Sequence, residues 1–129
     1  MLEESPSESI ADSELLARFI LFGKWFRSSD LTVKSEAFEE PDLSVFRHIG
    51  LSDIELWVLG QDVANLRSSG KLYGRVDLTV RGVRNLSLEV QNDTPPRNHA
   101  LIVRFPKDKA TRKMIALELA RAFPALIEP

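Results

Sequence analysis

The chain has no cysteine, which excludes disulfides, thiolate metal sites and cysteine nucleophiles. That suits a reducing compartment, and a cytoplasmic location is the expectation. Histidine is scarce, with only His48 and His99. Two histidines and scattered carboxylates, without HExxH or comparable spacing, do not suggest a metal site, and no cofactor is expected. No apolar run reaches the roughly 18 residues of a membrane span, so no membrane association is expected. The opening MLEESPSESIADSE is acidic and polar, unlike a signal peptide. The GKLYG run lacks the GxxxxGK[ST] order of a phosphate loop, and neither GxGxxG nor GxSxG occurs. Ser28, Ser29, Ser68 and Ser69 have no neighbouring base and read as turn residues.

What remains has the balance of an ordinary globular protein: 129 residues, 43% hydrophobic and 28% charged, enough for one domain with its own core. Residues 1–9, rich in Glu, Ser and Pro, read as a disordered acidic tail, and residues 10–129 as a single domain. The net charge of −2 is unevenly split. Residues 1–70 carry 6 basic and 13 acidic side chains, and residues 71–129 carry 11 and 6. The split predicts either that the halves neutralise each other on packing or that the basic half faces an acidic partner.

The best-defined stretch is Asp42 to Gly70. Ser52-Asp53-Ile54-Glu55 is a capping box, with Leu51 and Leu56 at the positions of a hydrophobic staple. Asp53 and Glu55 lie at the positive end of the helix dipole, and Arg67 lies near the negative end. Ile54, Trp57, Val58, Val63 and Ala64, and more loosely Leu56 and Leu66, form the expected inner face, and Ser68-Ser69-Gly70 ends the helix. Before it, Leu43 to Phe46 reads as a short strand.

Glu14 to Arg27 carries Leu15, Phe19, Phe22 and Phe26 at helical spacing, and a helix is the preferred reading. Both parities are apolar, so a strand buried on both faces is the alternative. Leu31 to Phe38 reads as extended. Between Val76 and Val90 the alternation suits a hairpin through Gly82, or a short helix capped by Asp77 followed by a strand over Leu86–Gln91. His99 to Phe105 is the clearest strand, and its run Ala100–Val103 predicts a central position covered on both sides. Lys107 or Asp108 opens a last helix to Phe123, with Met114, Ile115, Leu117, Leu119 and Phe123 as its apolar face.

The blocks FRHIGLSDIELWVLG, LYGRVDLT and NHALIVRFPKDKATRKMIALELA are similar to those of a set of small, uncharacterised bacterial proteins sharing RHxGLSxxELWxxG, YGRxD and NHAxI. The resemblance covers roughly residues 14–123 and brings no assigned activity. It implies a short helix after the second block, over Asp77–Asn85. The chain departs from the set in reading Val-Arg-Phe-Pro where Gly-Trp-Pro or Asp-Trp-Pro is expected.

The expected fold is therefore α+β: a small sheet of about three or four strands packed against two or three helices. The candidate binding residues are Arg47, His48, Arg75, Asp77, Arg97 and His99. Histidines and arginines gathered at one sheet rim would hold a phosphate or carboxylate, and a histidine would serve in acid–base chemistry near neutral pH. The competing expectation is that Arg75 pairs with Asp77 or another carboxylate and that the histidines cap loops through their ring nitrogens. Lys109, Arg112 and Lys113 share one side of the last helix, either as a solvated face or as a track for a nucleic-acid backbone. With no recognised catalytic constellation, the leading expectation is a non-enzymatic protein-interaction protein, acting with an operon neighbour or a second copy. A nucleic-acid or phosphate-ligand binder, and a small phosphate-acting enzyme using His48 and His99, stand beside it.

Overall fold

A computed structural model of the chain describes residues 9–68 and 70–129. The expected tail, residues 1–9, lies outside the described residues save for Ser9. Among the described residues, five strands form one antiparallel sheet: β1 (Leu15–Ile20), β4 (Leu43–Arg47), β5 (Gly74–Thr79), β6 (Glu89–Asn92) and β7 (His99–Val103), in the order β5-β1-β4-β7-β6. A small ribbon pairs β2 (Phe26–Arg27) with β3 (Thr32–Val33). The helices are α1 (Asp53–Arg67), α2 (Val80–Arg84) and α3 (Lys109–Ala122). The fold is α+β as expected, with a sheet one or two strands wider. No helix among the described residues is long and apolar enough to cross a membrane.

The signals of α1 hold in detail. Ser52 Oγ accepts from the Glu55 amide at 3.1 Å, and the Glu55 carboxylate accepts from the Ser52 amide at 2.9 Å. Its inner face is narrower than the apolar spacing suggests. Leu56, Gly60 and Ala64 are buried one turn apart, whereas Ile54, Val58 and Leu66 are exposed. Gly60 sets the approach: a Cβ there would stand 2.6 Å from the Phe19 ring. A glycine missing from an apolar pattern can thus mark the closest contact.

The segment Glu14–Arg27 is a strand and a 3-10 turn (Gly23–Trp25), not a helix. β1 is paired along its whole length, from Leu15 opposite Thr79 to Ile20 opposite Gly74, and to β4 through Leu16–Arg47 and Ala17–Phe46. Every residue from Leu16 to Ile20 is buried. Both parities are apolar because α1 covers one face while the other lies in the core, a density that imitates a helical pattern. Leu31–Phe38 extends only through Thr32–Val33 before a 3-10 turn, Ser35–Phe38.

The short helix after β5 exists, but Thr79 caps it, with its hydroxyl accepting from the Gly82 amide. Asp77 lies inside β5 instead. β7 is second from an edge and only alternately buried, so it is not the doubly covered centre; β4 takes the middle place. In α3, Asp108 is the N-cap, and Ala116 and Leu119 are buried, but Met114 and Leu117 are exposed.

Phe19, Phe46, Ser44 and His99 fall on the α1 face by strand register. The opposite face carries Leu16, Val45, Leu78 and Ile102, all fully buried with Val80, Val83, Ala116, Leu119 and Phe38. Both sheet edges are managed. Ile127 pairs with Arg75 on the outer side of β5. On β6 the Val90 amide, turned away from β7, donates to the Glu89 carboxylate, which Arg84 holds at 2.8 Å.

Arg47 crosses the buried face with no exposure. Its guanidinium grips Glu14 through two bonds of 2.8 Å and reaches Asn92 at 3.2 Å. Buried Asn98, at φ 65°, donates to the carbonyls of Arg47 and Ile49 at 2.7 Å each. These bonds bind the start of β1, the end of β4 and the loop before β7 into one block. Removing one partner of a buried ion pair strands the other in low dielectric. Arg47→Ala is therefore expected to cost about 3–5 kcal/mol, read as a lower urea midpoint at unchanged m-value.

Candidate functional site

The six residues expected to gather at one rim divide among four places. Arg47 is spent in the core and reaches no surface. His48, Arg75 and Asp77 do meet. His48 Nε2 lies 2.9 Å from Asp77 Oδ1, and Arg75 Nε donates to the same oxygen at 2.9 Å. Arg75 also donates to Asp53 at the start of α1, at 2.9 Å. Its guanidinium carbon stands 4.5 Å from the centroid of the Trp57 ring. Burial pushes Asp77 up, but the bonds from His48 and Arg75 outweigh it and hold the carboxyl below its ordinary value. Burial likewise pushes Arg75 down, and Asp77 and Asp53 more than offset it. This cluster ties β5 and the end of β4 to the start of α1, with Arg75 Nη1 alone of its buried side-chain atoms left without a bond. It is the pairing of Arg75 with Asp77 foreseen as the competing expectation.

Arg97 stands 3.8 Å from Glu55, at the N-terminus of α1. With Asp12–Arg84 at 2.6 Å and Asp53–Arg75, it shows acidic and basic halves pairing across the fold. Lys109 and Lys113 are exposed on α3 and Arg112 is partly so, consistent with a solvated face.

His99 looks the other way. Its Nε2 lies 2.7 Å from Ser44 Oγ, and its Nδ1 lies 3.0 Å from an Asp93 carboxylate oxygen and 3.1 Å from the Asp93 carbonyl. It opens onto a cleft of about 410 Å³ between α1, β1, β4 and the loop before β7. Phe22, Trp25, Phe46, Val63 and Leu66 supply apolar wall. Arg18, Arg67, Glu40 and Ser44 supply the polar groups.

Arg18 is the unusual member. β1 and β4 pair over only two residues and then diverge, and Arg18 enters the gap. It is 5% exposed, donates to the carbonyls of Ala37 and Ser44 at 2.9 and 3.1 Å, and lies 4.9 Å from the Trp25 ring centroid. Burial pushes its guanidinium below its ordinary value, yet an arginine stays a cation at neutral pH. Its Nη2 makes no aligned hydrogen bond; the nearest carboxylate, that of half-exposed Glu40, is 3.4 Å away. A buried cation whose outermost donor meets only a half-exposed carboxylate, at 3.4 Å, in a concave and partly apolar setting can exchange that partner for a ligand anion.

Sequence reasoning alone misses Arg18, Ser44, Asp93 and Arg67. One signal is present: Arg18 is the single charge inside the apolar run LLARFILF. Ser44 and Asp93 carry no local mark, because strand pairing alone joins them to His99. No family model matches the chain, and neither a curated protein nor a solved structure matches it at a significant level.

Because the Asp77 carboxyl is depressed, its contribution to stability is full above the ordinary aspartate value of about 3.9 and is lost as pH falls through its lower folded value. Asp77→Asn is expected to lower the melting temperature at neutral pH and to flatten its fall below about pH 4. Thermal melts of both proteins across pH 2–7 check this, and parallel curves would refute it.

Proposed function

We propose that the chain binds a small organic anion, a carboxylate or phosphate on an apolar or aromatic body, in the cleft over Arg18. The observation that carries this reading is the buried Arg18 Nη2, left without an aligned partner on the wall of that cleft. A cleft of about 410 Å³ suits a compact ligand. The aromatic and aliphatic wall offers burial for the ligand's body, and the guanidinium offers a charge-assisted bond to its head. Arg67 adds a second cation among the lining residues. The reading keeps the phosphate-ligand expectation and His99, but moves the site from the basic C-terminal half to the α1 face.

A second reading, the protein-interaction role, draws on α1's outer face. Ile54 and Val58 lie one turn apart at 77% and 56% exposure, near the half-exposed Ile49. It is the weaker reading because nothing about this stripe specifies a partner.

The ligand reading is tested by titrating labelled protein with phenylacetate, decanoate and phenyl phosphate, following the Trp25 indole and His99 ring resonances by NMR. Saturable shifts confined to the cleft are expected with at least one probe. Arg18→Lys keeps the charge but loses the planar fork, and is expected to weaken that probe about tenfold or more, with the fold checked by circular dichroism. A panel that moves neither resonance would refute the reading.

A further inference from the structure

We propose that Ser44, His99 and Asp93 form a nucleophile–base–positioner relay that makes this cleft an acyl-ester hydrolase site. The proposal rests on the cleft taking an anionic ligand with an apolar body. Its substrate class follows: an ester of a carboxylic acid that carries a separate anionic group.

Three features of the geometry argue for it. First, the ring tautomer has the required sense. Both Asp93 atoms facing Nδ1 are acceptors, a carboxylate oxygen and a carbonyl oxygen, so Nδ1 holds the proton of the neutral ring. Nε2 then offers its lone pair to the Ser44 hydroxyl at 2.7 Å. Second, the backbone sets the arrangement. Ser44 lies opposite Leu101 on β7, and His99 lies opposite Phe46, which places Ser44 and His99 diagonally on one face. The Asp93 amide donates to the His99 carbonyl at 2.9 Å, extending the β6–β7 ladder through the positioning residue. Phe46 meets the His99 ring edge-on at 5.2 Å and holds its plane. Third, Ser44 and His99 are both lining residues of the cleft, which sets the pair beside the space a ligand would fill. A network that only tied strands together would not need to open there.

In the step, Ser44 Oγ bonds to the ester carbonyl carbon and its proton passes to His99 Nε2. The carbonyl electron pair moves onto oxygen, near the Arg18 guanidinium that already donates to the Ser44 carbonyl at 3.1 Å. Collapse of this intermediate breaks the carbon–oxygen bond to the alcohol, which leaves with the proton from His99. Water then attacks the acyl-Ser44 carbonyl and gives its proton to His99, and Ser44 Oγ leaves with that proton. The sum is ester plus water to acid plus alcohol, with no other reactant. Ser44 and His99 are catalytic residues in this scheme, and Asp93 is a positioning residue.

The experiment is reaction of the full chain with an alkyl fluorophosphonate, read by intact mass and peptide mapping, beside the phenylacetate titration. The Ser44 oxygen is expected to bond to phosphorus with loss of fluoride, giving one adduct. Ser44→Ala should abolish it, and His99→Gln should slow it about 100-fold. Asp93→Asn should slow it about tenfold and also shift its pH–rate profile, since the ring is then free to take the other tautomer. No adduct on Ser44 in folded protein, or a rate indifferent to His99→Gln, overturns the relay. If phenylacetate still binds in that case, the relay fails and the ligand reading stands. Labelling of Ser44 without any binding of the three anionic probes would do the opposite: the relay would stand, and its anionic substrate class would fall with the ligand reading.

Discussion

The bidentate grip of Arg47 on Glu14 is the contact on which the rest of the sheet depends. A fully buried guanidinium is tolerable only when its donors are met, and here Glu14, Asn92 and Ser9 supply acceptors from both sides of β4. Burial pushes Glu14 up, but the Arg47 bonds, with the Ala11 amide and the charges of Arg47 and Arg84, outweigh it and hold the carboxyl below its ordinary value. Because Asn98 binds the backbone of the same corner, the positions of His48 and His99 follow from this block rather than from their own side chains. Arg47, one of the six residues expected to bind a ligand, therefore acts as scaffold.

Around that block α1 divides its sheet face into two unlike flanks. Along β5 the helix is tied down by Asp53–Arg75 and the stacking of Arg75 on Trp57. Every polar group there finds an internal partner except Arg75 Nη1, whose guanidinium is covered by the indole. Along β4 and β7 the helix offers Val63 and Leu66 to an open cleft, and the linked polar residues below, Arg18 with Glu40 and Ser44 with His99, line that space. A guanidinium closed over by an indole holds structure, while one whose outer donor meets only a half-exposed carboxylate beside a cavity invites a ligand. That contrast favours the Arg18 flank over the His48 flank as the place where chemistry happens.

Much of the fold was legible where the signal is local. The capping box of α1, the strand at Leu43 and the cap of α3 rest on contacts within a few residues, and each is present within one or two positions; the short helix after β5 was implied by the resemblance, while the local alternation suited a hairpin, and its cap is Thr79 and not Asp77. β1 resembles a helix in sequence because burial on both faces removes the alternation that distinguishes a strand. The apolar stripe of α1 misleads for a related reason. Contact with the sheet runs through Gly60 and Ala64, small residues that an apolar pattern undervalues, while Ile54 and Val58 face outward.

By its own composition and local patterns, the sequence determined a cysteine-free α+β chain, the caps of its longer helices, and an acid–base split that the halves partly neutralise in cross-fold pairs. Only the tertiary structure decided which polar residues meet. It sent Arg47 inward, joined His48 to Asp77 and Arg75, placed Arg18, Ser44 and His99 around one cleft, and set Asp93 against the far nitrogen of His99. The physical reason is that helix capping acts over three or four residues, whereas the partner of a side chain in an antiparallel sheet is set by register between distant strands. His99 and Ser44 are 55 positions apart and nothing near either one names the other.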